Sequence, residues 1–520
     1  MWVITMNDSK QRKLGAMLSY VSIVVNVVIQ LLYTPILIKK MGSSEYGLFS
    51  LVSSIISYLT ILDLGFGNAI IVYTAKYRAQ KKYDEEKQLH GMFNIVFLII
   101  GLITTICGLI LAFNTKNIFY KTMTIEELNK AQIMMFILSF NLGVTFIFNI
   151  YSTIISAYEK FVFQKIVTII STIIKPLIMI PLLFIGFKSI TMTLIITAVN
   201  LLVLLSNYIF CRIKLNIKVK YRGFNKKVFR EICKYSFLIF LTVIVDKINW
   251  NVDQFILGAV SGTLAVSLYA AAAQINTMFG SLSTAISGIL LPKVSKMIAK
   301  NASDEVLTSE FIRVGRIQYL IIFLMASGLV IFGKEFFVLW LGKEYITSYY
   351  ISIILVLPLC IPLIQNLGIS IMQAKNIHKF RSILYTVIAV INIIISIPLA
   401  KKYGGIGSAI GTSLSLIVGN ILIMNIYYYK KVKINVIKFW YEIIKMTIPM
   451  AIPIIIIFCL NKIIFLNGLL HFIVFGTLYT TFYIIVCYLF SMNKYEKDLI
   501  TKIFKRRGIE HEQNNWFFTI

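Results

Sequence analysis

Apolar runs of roughly 20 residues, the length needed to cross a bilayer as a helix, recur along this chain from end to end. Inside lipid every backbone N–H and C=O must be satisfied within the chain, which leaves helices and closed barrels as the only spanning structures. The runs show no strict apolar–polar alternation, so they read as helices. Fourteen are recognisable, over 14–38, 48–73, 92–113, 131–156, 166–185, 190–211, 235–260, 267–291, 315–333, 349–373, 382–399, 406–428, 446–461 and 469–490. With 58% hydrophobic and 14% charged residues and a mean hydropathy of +0.82, a water-soluble fold of this length would leave much of that surface wet. The expected fold is therefore an all-α polytopic membrane protein of about 14 transmembrane helices.

The net charge of +29 suggests nucleic acid at first sight, but its distribution points elsewhere. With both termini in the cytoplasm, 38 of the 51 Lys and Arg residues fall in cytoplasmic segments and 11 in outer ones; Lys175 and Lys247 remain inside spans. This asymmetry fixes the orientation, supports the span count, and offers most of the basic excess to anionic lipid headgroups. Nucleic acid is excluded as a partner. No cleavable signal peptide is expected, because the first apolar run is too long for one. Loops are short, so no extramembrane catalytic domain fits. Six cysteines stand singly and four histidines lack ligand spacing, so neither a disulfide framework nor a metal centre is expected.

The most informative polar cluster is Asp246-Lys247-Ile248-Asn249-Trp250-Asn251-Val252-Asp253-Gln254, in the middle of span 7. Each charge there costs about 2.5–3.5 kcal/mol on insertion scales, so these groups need a wet cavity or partners on other helices. At 100° per residue Asp246, Asn249, Trp250 and Asp253 share one face, with Lys247, Asn251 and Gln254 beside it. The readings are a pathway lining or an ion pair locking two helices. Span 1 carries the stripe Ser19, Ser22, Asn26, Gln30, Tyr33 and Thr34, which fits either a cavity wall or interhelical hydrogen bonding. Lys175-Pro176 interrupts span 5, where a lysine needs a carboxylate, a phosphate or water. Asp63, in Leu62-Asp63-Leu64-Gly65, is a candidate partner of Lys175 or Lys247, or a group that titrates with a coupling proton. Gln274, Asn276, Thr277 and Ser281 in span 8, with Gln365, Asn366, Ser370 and Gln373 in span 10, extend polar stripes into the second half. Gly405-Ile406-Gly407-Ser408-Ala409-Ile410-Gly411 lacks a preceding strand and reads as close helix packing, not a phosphate loop. No nucleophile–base–acid set is present, so no enzyme is expected.

Met41-Gly42-Ser43-Ser44-Glu45-Tyr46-Gly47 after span 1, Leu62-Asp63-Leu64-Gly65, Asp253-Gln254-Phe255-Ile256-Leu257-Gly258 leading to Tyr269-Ala270-Ala271, and Tyr403-Gly404-Gly405-Ile406-Gly407 are similar to Wzx-type polysaccharide-biosynthesis flippases. These belong to the multidrug/oligosaccharidyl-lipid/polysaccharide exporter superfamily. A faint echo between the exits of spans 1 and 7, six spans apart, agrees with parallel repeats. The resemblance implies two six-helix lobes related by a pseudo-twofold axis, 1–222 and 223–432, with two extra C-terminal helices and a basic tail in 433–520. It implies alternating access and a polyprenyl-pyrophosphate-linked oligosaccharide as substrate. It also implies ion coupling with H+ or Na+ left open, no other cofactor, and other polysaccharide-assembly proteins as partners. From the polar stripes and intramembrane charges above, the candidate substrate-binding or cavity-lining residues are Asn26, Gln30, Tyr33, Asp63, Lys175, Asp246, Lys247, Asn249, Asn251, Asp253, Gln274, Asn366 and Gln373. Relatives often line this cavity with arginines; here Lys175 and Lys247 take that place. The alternatives are a multidrug or cation exporter, a lipid II flippase and, less in keeping with the short outer loops, a polymerase or ligase of lipid-linked glycans.

Overall fold

The computed structural model describes residues 8–221, 226–288, 294, 296–298, 300–375, 377, 379–463, 468–499 and 501. Among them there is no strand. The helices run α1 (Asp8–Met41), α2 (Ser43–Tyr58), α3 (Phe66–Ala79), α4 (Tyr83–Phe119), α5 (Ile125–Ala157), α6 (Phe161–Ile185), α7 (Ser189–Ile209), α8 (Lys226–Val260), α9 (Thr263–Gly288), α10 (Asp304–Leu341), α11 (Ile346–Ile364), α12 (Leu367–Ala374), α13 (Lys379–Leu416), α14 (Val436–Ile463) and α15 (Gly468–Val486). Past Leu416, α13 continues through π-helical and α-helical turns to Val432.

Eleven helical segments among the described residues are long and apolar enough to cross a membrane. The longest, Phe380–Val432, carries the expected spans 11 and 12 on either side of Gly404, whose φ of 56° and ψ of −136° interrupt the helix. Only a residue without a Cβ takes that conformation cheaply. Helices α8 and α9, which carry the expected spans 7 and 8, fall outside the eleven. Span 2 is discontinuous. Helix α2 tightens into a 3-10 turn at Leu59–Asp63, and Leu64 (φ 52°) and Gly65 (φ 74°) are both left-handed before α3 begins. A leucine held there costs about 1–3 kcal/mol and persists only where its surroundings impose it.

The chain packs as two compact units, 1–274 with 381–415, and 275–380 with 416–520. The lobes expected from repeat symmetry are a different kind of division, which these packing units do not address. The first unit centres on aromatic and aliphatic side chains of α3, α4, α5 and α8, including Phe66, Phe93, Phe97, Phe146 and Ile232. Within it α4 lies along α5, α6 along α1, and α8 against α2 and α3. The N-terminus of α5 is fixed by a reciprocal cap, in which Thr124 Oγ1 accepts from Glu127 N and the Glu127 carboxylate accepts from Thr124 N. In the second unit Phe332, Met450, Phe475, Tyr479 and Tyr483 join α10, α14 and α15. Arg316 of α10 clamps this unit at one end. It donates to both Glu496 oxygens (2.7 and 3.0 Å), to Glu442 (2.9 Å) and to the Ser491 carbonyl (3.0 Å).

Candidate functional site

Among the described residues Asp253 is the most enclosed carboxylate of the first unit, with 1% of its surface exposed. Three hydroxyls donate to it: Tyr269 to Oδ2 at 2.5 Å, Thr412 to Oδ2 at 2.8 Å and Ser408 to Oδ1 at 2.6 Å. Behind them Asn392 Nδ2 donates to Thr412 Oγ1 (3.2 Å), and Ser396 Oγ donates to Asn392 Oδ1 (2.8 Å). Four pieces of chain, α8, α9 and the two arms of α13, thus converge on one carboxylate. The arms meet because Gly407 and Gly411 leave room: a Cβ at Gly407 would lie 2.0 Å from the Leu399 carbonyl oxygen, and one at Gly411 2.2 Å from Ser396 Oγ. The glycine run of span 12 is a packing device, as its sequence suggests.

Sequence reasoning singled out Asp253 but missed Ser408, Thr412, Asn392 and Ser396. The available signal was i, i+4 spacing, Asn392 with Ser396 and Ser408 with Thr412, which sets each pair on one helix face.

Other parts of span 7 behave differently. Asn251 Nδ2 turns back to the Lys247 carbonyl (3.4 Å), and the Asn251 carbonyl accepts from Ser54 Oγ of α2 (3.1 Å). Lys247 is half-buried. The side chains of Asp246 and Asn249 lie outside the described residues.

On α1, Asn26 is exposed and receives a hydrogen bond from Gln30 Nε2 at 2.8 Å. Tyr33 is half-buried, and Thr34 Oγ1 donates to Gln274 Oε1 of α9 at 3.1 Å. Gln274 is therefore brought to the α1 stripe.

Asp63 sits at the break in span 2. It accepts from Asn149 Nδ2 of α5 (3.2 Å) and from the Gly67 backbone. This differs from the pairing with a lysine considered from sequence: after the left-handed turn at Leu64–Gly65 the Gly67 N–H at the open N-terminus of α3, with the Asn149 amide, takes the place of a counter-charge. Lys175 on α6 is half-buried, and among the described residues it has neither an ion pair nor a hydrogen-bond partner. The hydroxyls before it on the same helix, Thr168 and Thr172, bond back to their own backbone.

Asn366 and Gln373 belong to the second unit. Asn366 Nδ2 donates to Ser283 Oγ (3.1 Å), which also accepts from Gln318 Nε2 (3.2 Å). Gln373 is exposed. Nearby, an apolar cavity of about 610 Å³ opens between α9, α10 and α15, lined by Phe279, Leu324, Phe332 and Phe472 among others.

Comparison with known proteins decides the family. The model of the family described as "Polysaccharide biosynthesis protein" matches residues 14–298, more than half of the chain. The chain belongs to the polysaccharide biosynthesis protein family. A curated relative, the "Putative O-antigen transporter" of Shigella flexneri, is 23% identical over 403 residues, covering 75% of this chain and 91% of its own. Among solved structures, "Lipid II flippase MurJ, inward closed conformation" matches with a TM-score of 0.71 at 20% identity, over 94% of this chain and 99% of that one. A MOP-superfamily transporter from Pyrococcus furiosus matches with a TM-score of 0.57 at 14% identity, over 82% and 98%. These structures share the fold. The protein is a multi-pass membrane protein of polysaccharide biosynthesis with a transporter fold.

Proposed function

We propose that this transporter moves an undecaprenyl-pyrophosphate-linked oligosaccharide repeat unit from the inner to the outer leaflet for capsule, O-antigen or exopolysaccharide assembly. It works by alternating access in the bacterial plasma membrane, with both termini cytoplasmic. The observation that carries this reading is Lys175, a cation within a spanning helix that no described carboxylate neutralises. A lysine left so at membrane depth is suited to a mobile anion, and the substrate's pyrophosphate is one. The exposed amide of Asn26 and the half-buried Gln30 offer the kind of polar wall a sugar needs, while the polyprenyl tail stays in lipid.

Ion coupling is assigned to Asp253. The Asp253 carboxylate, Asn392 Oδ1 and the Ser408 and Thr412 hydroxyls are hard oxygen donors, a set that fits a proton or a Na+. An ion held there would bridge α8 and both arms of α13.

The likeness to a lipid II flippase keeps that substrate as the second reading, since lipid II carries the same pyrophosphate. Complementation separates the two: surface glycan should return in a strain lacking its repeat-unit flippase, and growth should not return in one depleted of its lipid II flippase. In the rescued strain Lys175→Gln should lower export roughly tenfold or more, the equivalent of one charge-assisted contact, with normal membrane abundance. Lys175→Arg should retain part of it. Full export by Lys175→Gln would refute the contact.

A further inference from the structure

We infer that the outer half of α2, the end of α8 and the start of α9 form the outer seal of the pathway, and that Gly47 and the turn between α4 and α5 set its strength. This rests on the alternating-access reading above.

In the orientation given by the basic residues, the first half of α2, the last turns of α8 and the first turns of α9 all lie in the outer half of the membrane. There α2 and α9 touch backbone to backbone. A Cβ built on Gly47 would lie 1.9 Å from the Thr263 carbonyl oxygen, 2.8 Å from its carbon and 3.1 Å from Ser267 N. Backbone cannot swing aside as a side-chain tip can, so any residue but glycine holds these helices apart. The opposite case is Gly258, whose Cβ would first meet side-chain atoms, the Leu51 methyl groups at 2.6 Å.

Hydroxyl hydrogen bonds reinforce the contact. Thr122 Oγ1 donates to the Gly258 carbonyl (2.7 Å), Thr263 Oγ1 to Glu127 Oε1 (2.8 Å) and Ser54 Oγ to the Asn251 carbonyl (3.1 Å). All are single hydroxyl donors, and no ion pair crosses here among the described residues. The side that receives α8 and α9 is braced more firmly. Glu45 of α2 accepts from Lys130 of α5 and from Ser189 of α7, and Lys130 also pairs with Glu126 at 2.6 Å. An ion pair thus holds α2 to α5, and α7 is joined to the same carboxylate by the Ser189 hydroxyl, while hydroxyl bonds and a glycine face, with no described ion pair, hold α8 and α9 to them. That contrast is what a joint that must open in every transport cycle requires: rigid walls and a weak line between them. Glu127 is arranged for this, with Oε2 capping α5 at Thr124 and Oε1 alone serving the seal, so release of Thr263 leaves the cap intact.

The test is outside labelling of sealed cells with a membrane-impermeant maleimide, reporting at Ser54→Cys, with labelling of the Ser54 parent subtracted. Ser54 is buried beneath the seal, and a Cys thiol there remains a weak donor to the Asn251 carbonyl, so Ser54→Cys alone should stay largely protected and is the baseline for the added substitutions. Adding Gly47→Ala should expose it. Because Gly47→Ala can also impair folding, Thr263→Val and Thr122→Val, which each remove one hydroxyl bond and keep the volume, are measured beside it. Each should raise labelling about threefold to tenfold, the weight of one hydrogen bond, at normal abundance. Protection unchanged in abundant Thr263→Val and Thr122→Val variants, or full labelling of Ser54→Cys alone, overturns the seal. The readout needs no substrate, so it stands even if complementation fails; labelling confined to inverted vesicles would overturn it by reversing the orientation.

Discussion

Replacing Asp253 by Asn and by Ala should separate stability from export. In Asp253→Asn the amide oxygen can still accept from Tyr269 and Thr412, and the Ser408 hydroxyl can rotate to accept from the new NH2. Three charge-assisted hydrogen bonds at roughly 1.5–3 kcal/mol become neutral ones at roughly 0.5–1.5 kcal/mol, a loss of about 1 kcal/mol each. Against this, a fully enclosed charge no longer has to be desolvated, an offset of several kcal/mol. The net effect on stability is near zero. In Asp253→Ala the same desolvation is relieved, but three buried hydroxyls lose their common acceptor at roughly 1–3 kcal/mol each with nothing in its place, so a net loss of about a few kcal/mol remains, a large fraction of the stability of a typical domain. Membrane abundance of a tagged protein and its melting in detergent should therefore match the parent in Asp253→Asn and collapse in Asp253→Ala. Export, read as surface glycan per cell, should be lost in both if Asp253 carries the coupling ion. Asp253→Asn with normal abundance and normal export would remove the ion-coupling assignment. Equal loss of abundance in the two variants would refute the hydrogen-bond accounting itself.

Three further outcomes follow from other parts of the molecule. A cysteine at Lys226, at the basic start of α8, should resist impermeant maleimide in sealed cells; outside labelling would reject cytoplasmic termini. Gly407→Ala places a Cβ 2.0 Å from the Leu399 carbonyl oxygen, an overpacking that should cost about 1–3 kcal/mol and lower the melting temperature in detergent; an unchanged melt would contradict the tight crossing of the α13 arms. Arg316→Met strands Glu496 and Glu442 and should cost about 3–5 kcal/mol. Adding Glu496→Gln and Glu442→Gln should recover most of that melting temperature, whereas no recovery would mean that Arg316 acts through packing.

Much of this architecture is legible in sequence because lipid permits so few structures. Length and apolarity identify the spans, and the distribution of basic residues gives a direction. The site is legible only in its charged members. Asp253 stands out because a carboxylate in a span demands an explanation. Its partners do not, because a Ser or Thr in an apolar helix usually bonds to its own backbone, as Thr193 and Ser415 do here. Nothing local separates those from Ser408 and Thr412, whose hydroxyls reach α8 instead. Asp63 shows the reverse difficulty. Sequence offered it a lysine, but its partner is the freed end of α3, which exists only because Leu64 and Gly65 reverse the helix. Lys175 is conspicuous in both views, as an isolated charge in the chain and as a charge without a described partner in the fold.

The gap in span 2 bears on how the protein is made. A helix interrupted at membrane depth leaves backbone groups that lipid cannot satisfy. Here the break is held in part by Asn149, which lies in α5 and is synthesised 86 residues after Asp63. Until that segment has left the ribosome and entered the bilayer, the second span lacks one of the groups that hold its final shape. The order of assembly is thereby constrained: the second span is threaded early and set late, and the fourth span acts as its template.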